Sequence, residues 1–150
     1  MGYNLGTASR GKLAGVHPNL VRVIERAIQI SRVDFRVIEG VRTPARQKKL
    51  YAQGRTAPGP KVTWTLNSNH FIKPATGFGH AVDLLPAPYD WKLVDPKSTP
   101  EMDDAFALVA AAMYQAAAEL GIKIRWGANW DGDKQWREKG ETDNPHFELA

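Results

Sequence analysis

Cysteine is missing from this 150-residue chain altogether. That excludes disulfides, thiolate nucleophiles and Cys-type zinc fingers, and it leaves the fold indifferent to the redox state of its compartment. Long apolar runs are missing too: nothing approaches the roughly 20 residues needed to span a bilayer. The opening stretch "MGYNLGTASRGKLAGVHPNL" has no continuous apolar core, so no Sec signal peptide is expected there. There is no internal repeat, no low-complexity tract and no block of like charge. Basic residues outnumber acidic ones by 20 to 16, a formal net charge of +4. That balance suits an anionic partner such as nucleic acid, membrane or cell-wall polymer, but the basic residues are too scattered to choose among them. No basic helix or aromatic–basic motif supports nucleic acid.

What is present reads as a soluble globular chain of one domain, with 43% hydrophobic and 24% charged residues. Leu20, Val23, Ile24, Ala27 and Ile28 fall on one face of a helix over 18–30, with Pro18 at its first position. "DFRVIEGVRT" alternates as a strand, with Phe35, Val37 and Glu39 on one side. Thr43-Pro44 is a cap signal for a helix to about Gln53, ended by Gly54. The stretch 54–76 reads as a long loop, with one short strand at "KVTWTL". "HAVDLLP" is a strand ending at Pro86. Thr99-Pro100-Glu101 opens a further helix to about Leu120, with Phe106, Val109, Met113, Ala116, Ala117 and Leu120 inward. "IKIRW" and "PHFEL" close the chain as strands. The expected class is α+β, with a small, mostly antiparallel sheet and flanking helices.

Without cysteine, any metal must be held by His and carboxylates. The chain has four histidines: His17, His70, His80 and His146. His17 precedes a helix start and reads as a loop or cap residue. In an extended "HAVDL", Asp83 shares a face with Ala81 while His80 points the other way, so His80 and Asp83 should not converge on one ion. His70, at the end of the loop, is free to reach Asp83. His146 and Glu148 lie on a common face of the last strand. His70, Asp83 and His146 are therefore the set able to meet. Spacing alone leaves open that they are surface histidines or histidines satisfied within the core.

The order Ser68-Asn69-His70, then Gly79-His80-Ala81-Val82-Asp83, then Asp143-Asn144-Pro145-His146 resembles the metallopeptidases of the lysostaphin, D-alanyl-D-alanine peptidase and hedgehog group. The resemblance implies one zinc ion held by His70, Asp83 and His146, with Asp143 as catalytic base. "VIEGVRTPARQKKLYAQG" is similar to the segment that supplies the group's active-site arginine, here Arg42. "ELGIKIRWGANWDGD" is similar to the strand and turn before the last ligand in phage-encoded endopeptidases that cut L-alanyl-D-glutamate bonds in peptidoglycan. The likeness covers nearly the whole length, which implies one catalytic domain over 1–150 and no separate cell-wall-binding domain. One departure stands out. In the group's compact form the histidine lies closer to the aspartate, whereas 13 positions separate His70 from Asp83 here. The extra residues around "KPATGF", within 71–78, are loop formers and read as an insertion.

Roles follow from these assignments. Asp143 is placed to take a proton from water and pass it to the leaving amine. Arg42, at a fixed strand end, suits an oxyanion or a substrate carboxylate; a solvated surface arginine is the plainer reading. Glu148 is placed to orient His146, or is an exposed C-terminal acid. Trp126 and Trp130 line a cleft or pack in a core, and Ser68 stands beside the first ligand. The function implied is a phage or prophage endolysin cutting the L-Ala–D-Glu bond. It would be a monomer without stable membrane association, made in the host cytoplasm and acting on the wall after release by a separate pore protein. The alternatives are a D,D-carboxypeptidase or dipeptidase on D-Ala–D-Ala termini, and a non-catalytic zinc-binding wall module.

Overall fold

Residues 3–59, 69–87, 100–127 and 145–150 are described by a computed structural model of the chain. The expected strand "KVTWTL", the Thr99 cap, Ser68, Trp130 and Asp143 lie outside them. The chain opens with a short helix, α1 (Thr7–Lys12), and then α2 (Pro18–Ile30). His17 caps α2, its Nδ1 accepting from the Asn19 amide at 3.1 Å. The apolar stripe of α2 is buried along its length. Strand β1 (Phe35–Glu39) leads to α3 (Pro44–Ala52), whose first turn is closed by Thr43 Oγ1 accepting from the Arg46 amide.

Strands β2 (Ile72–Lys73) and β3 (Phe78–Gly79) pair antiparallel as a small hairpin, with β2 inside the stretch read as loop and β3 just beyond it. Two-residue strands have no alternation to detect, which is why the sequence shows only the turn formers between them. Strand β4 (Ala81–Pro86) follows, then α4 (Pro100–Leu120), β5 (Ile124–Trp126) and β6 (His146–Leu149). β1, β4, β6 and β5 form one sheet in that order, and each neighbouring pair is antiparallel.

Registers divide the two faces of this sheet. Val37 stands opposite Leu84, Val82 opposite Phe147, and Phe147 opposite Trp126. These residues share one face and are buried with the stripes of α2 and α4, including Leu20, Ile24, Phe106 and Met113. Each fully buried Leu, Ile or Phe contributes roughly 1.5–3 kcal/mol of burial free energy, so the helical layer anchors this side. Asp83, His146, Glu148 and Arg125 alternate onto the opposite face. Simple alternation puts Glu39 with Phe35 and Val37; the structure does not. A register shift between Val37 and Glu39 brings Glu39 opposite Asp83. One unpaired residue in a strand reverses the side of those after it.

Candidate metal centre

Asp83 sits mid-strand in β4, at the centre of the sheet, with His146 directly opposite it on β6. Directly opposed residues of antiparallel strands have Cβ atoms about 4.5–5.5 Å apart, so the pairing alone brings the two side chains within reach. His146 Nδ1 lies 3.4 Å from Asp83 Oδ1. His70 comes from the turn before β2, and its Nε2 lies 3.5 Å from the same oxygen. The three ligand atoms fall within 4.8 Å of one another. The two imidazoles meet edge to face, with centroids 5.1 Å apart.

Close backbone packing fixes His70. Its carbonyl accepts from the Arg42 amide at 2.9 Å, and the neighbouring Asn69 carbonyl accepts from the His80 amide at 2.8 Å. A Cβ at Gly79 would lie 2.9 Å from the His70 carbonyl oxygen, so only glycine lets the chain pass there. Gly40 has the same role on the other side: a Cβ would collide with the Lys12 carbonyl, where α1 ends against β1. The Gly40 carbonyl in turn accepts from His70 Nδ1 at 2.8 Å. A carbonyl can only accept, so Nδ1 carries a hydrogen and Nε2 is the nitrogen turned toward Asp83.

His146 is tied in the opposite sense. Its Nε2 donates to Glu148 Oε1 at 2.8 Å, which leaves Nδ1 facing Asp83. Glu148 is buried and also accepts from Asn69 Nδ2 at 2.7 Å and Arg125 Nη2 at 2.6 Å. Burial alone would raise its carboxyl; the hydrogen bonds from His146, Asn69 and Arg125 outweigh burial and hold it at about 2. Asp83 shows the same contest. Burial pushes it up, but His70 and His146 hold it well below the usual carboxylate range.

When each ring gives up its inner proton, as metal ligation requires, two nitrogen lone pairs and a carboxylate oxygen face a common point. They repel unless a cation sits among them. Separations of 3.4 and 3.5 Å exceed the 2.7–3.2 Å of an ordinary N–H···O bond. Each histidine has its outer nitrogen committed to an acceptor, the arrangement that ligating histidines use to fix tautomer and ring plane. The group can hold a metal ion through one oxygen and two nitrogens.

Arg42 stands at the rim of this group. Its Nη2 lies 3.5 Å from Asp83 Oδ2, its Nη1 donates to Gln47 Oε1 at 2.9 Å, and its Nε to Glu39 Oε1 at 3.3 Å. Gln47 is fully buried in the inner face of α3. The sequence reading made no claim for Gln47 and none for Glu39, Asn69 or Arg125 as site residues. Asn69 had a signal in its place beside His70; Arg125 had one in its alternation onto the face of Glu148.

His80 is not brought to the group. Its Nε2 bonds Thr76 Oγ1 at 2.8 Å, and its ring meets that of His17 with centroids 5.1 Å apart. Burial, and then the nearby His17 and Lys73, lower its pKa. Trp126, weighed as a cleft residue, is in the core: it is buried and stacks on Phe147 at 6.2 Å, on the helical side of the sheet. Two residues on from buried Ile124, it shares that residue's face of β5.

The family whose members match this chain is described as phage L-alanyl-D-glutamate peptidase, and the match runs over residues 1–150. The chain is 32% identical, over 156 aligned positions spanning 100% of both proteins, to an L-alanyl-D-glutamate peptidase of Escherichia phage T5. Among solved structures it is similar to the Serratia marcescens L-Ala D-Glu endopeptidase ChiX, at 36% identity and a TM-score of 0.66. That match covers 97% of this chain and 90% of the other.

Proposed function

The chain belongs to the phage L-alanyl-D-glutamate peptidase family, and we propose that it is a zinc-dependent endopeptidase that hydrolyses the L-Ala–D-Glu bond of peptidoglycan stem peptides as an endolysin. The observation that carries the zinc assignment is the meeting of His70, Asp83 and His146 with both outer histidine nitrogens already bonded. A tetrahedral zinc with bonds of about 2.0–2.1 Å has ligand atoms about 3.3–3.4 Å apart. The separations of 3.4 and 3.5 Å from Asp83 Oδ1 fit that geometry. Zinc held there supplies a Lewis acid and a nucleophilic water at neutral pH.

The chain's own residues do the rest. Gly40 and Glu148 keep the two imidazoles in the ligating tautomer. Arg42, beside Asp83, is in reach of negative charge developing on the scissile carbonyl oxygen, or of a substrate carboxylate. Asp143 serves as general base: it takes a proton from the attacking water and delivers it to the amine as the C–N bond breaks. The products are an L-Ala carboxylate and a new D-Glu amino terminus. No helix among the described residues is long and apolar enough to cross a membrane. The proposal extends to release onto the wall by a separate pore-forming protein and to action as a monomer. Digestion of purified peptidoglycan, followed by mass spectrometry of the new termini, tests the reading. New D-Glu amino termini with intact glycan are expected; new reducing sugar ends, or release of terminal D-Ala alone, would overturn it.

A further inference from the structure

We infer that the cavity beside Arg42 is a subsite for a free carboxylate of the stem peptide, with Lys12 and Arg46 as its recognition residues. The inference rests on the peptidase reading above. The cavity has a volume of about 490 Å³, and its lining includes Lys12, Glu39, Gly40, Arg42, Thr43 and Arg46. Three cations thus face one carboxylate. Glu39 is shared between Arg42 at 3.3 Å and Arg46 at 3.7 Å. The Arg42 fork is committed to Gln47 and Asp83 as well, and its side chain is only 12% exposed.

Two cations remain for a ligand. Lys12 is exposed at the end of α1 and makes no ion pair among the described residues. Arg46 has a side chain 53% exposed, and its 3.7 Å contact with Glu39 is longer than a hydrogen bond. An exposed pair of that kind gives up little when its guanidinium turns to another anion. Glu39 itself stays neutralised by Arg42, so the cavity presents net positive charge.

Its position ties the cavity to the metal group. Gly40 holds His70 through its carbonyl, Arg42 touches Asp83, and both residues line the cavity. A peptide with its cleaved bond at the metal group therefore has one flank beside this wall. Glutamate has two carboxyl groups and uses one in the chain, so the D-Glu next to the cleaved bond brings a second. The residue after it can bring another. Either matches a lysine and a planar guanidinium fork.

The test uses three synthetic stem peptides: one with both carboxylates free, one amidated on D-Glu, and one amidated on the following residue. With the zinc-loaded wild type, kcat/KM should fall about tenfold when the recognised carboxylate is amidated, mainly through KM, and the affected peptide identifies which carboxylate binds. In Lys12→Met and Arg46→Gln, checked for wild-type metal content and melting temperature, that discrimination should shrink toward unity. Equal cleavage of all three peptides by the wild type would overturn the subsite without needing any variant. So would variants that keep the full wild-type discrimination. A metal-loaded wild type that cleaves none of the three peptides would instead overturn the peptidase reading, and the subsite with it.

Discussion

Replacing Glu148 by glutamine changes one atom of a buried side chain and removes its charge. In the wild type the carboxylate accepts from three donors: His146 at 2.8 Å, Asn69 at 2.7 Å and Arg125 at 2.6 Å. An amide has one acceptor oxygen, and its NH₂ must face at least one of those donors. Where Arg125 and Asn69 keep the oxygen, the amide nitrogen meets His146 Nε2 and drives the ring to carry its hydrogen on Nδ1. Nδ1 is the atom aimed at Asp83, 3.4 Å away. To take a metal, the ring must shift tautomer and leave a buried donor unmatched, which costs about 1–3 kcal/mol. At about 1.4 kcal/mol per factor of ten, the expected loss is roughly 10- to 100-fold in metal affinity, the usual worth of such an outer hydrogen bond. Titration of the metal-free protein with zinc against a competing chelator measures it, with thermal unfolding of the metal-free form alongside. Affinity within twofold of wild type, with only the metal-free stability reduced, would refute the tautomer argument and leave Glu148 a purely structural carboxylate.

His70→Ala should lose tight metal binding and activity together, whereas His80→Ala should keep its metal, because the His80 ring is engaged with Thr76 and His17; metal content of the two proteins, measured side by side, with the opposite pattern would move the site. Asp143→Ala should bind zinc nearly normally while wall hydrolysis drops by roughly 10²–10⁴-fold; loss of the metal instead would make Asp143 a ligand. The exposed Arg26–Glu119 pair at 2.7 Å joins α2 to α4, and its hydrogen bond holds the Glu119 carboxyl below its ordinary 4.5. A depressed carboxyl stabilises the fold above its unfolded value and loses that effect as pH falls through the folded one. The melting-temperature gap between wild type and Glu119→Gln should therefore be present at neutral pH and close in acid and in high salt; a gap that persists in strong acid contradicts the pairing.

The helical layer was legible because α2 and α4 repeat apolar residues at helical spacing and begin at proline. The meeting of His70, Asp83 and His146 was legible in part from alternation, which in β4 separates His80 from Asp83 and in β6 puts His146 and Glu148 on one face; spacing left surface or core histidines open, and the family resemblance chose the set. Glu39 was not, since period-two reading assumes an unbroken ladder and the shift after Val37 breaks it. Gln47 was hidden for want of its partner: nothing in the α3 sequence says that Arg42, just ahead of the cap, folds back to meet a buried amide. α1 was missed because six residues with Gly11 inside them show no periodicity. It matters to the site all the same, since its end sets the Lys12 carbonyl against Gly40. Residues 72–79 form the hairpin of β2 and β3. They form a local excursion, and its two ends return to the backbone contacts that hold His70 beside Arg42 and His80.

The direct test of the central claim is a metal titration of activity. The purified protein is stripped with a chelator, verified metal-free, and given increasing zinc while cleavage of the L-Ala–D-Glu bond is followed by the appearance of D-Glu amino termini. Activity should be absent without metal and rise to a plateau near one zinc per chain, and His70→Ala should show no such plateau. Full cleavage by the verified metal-free protein would contradict the account, because His70, Asp83 and His146 would then have gathered for something other than a catalytic ion.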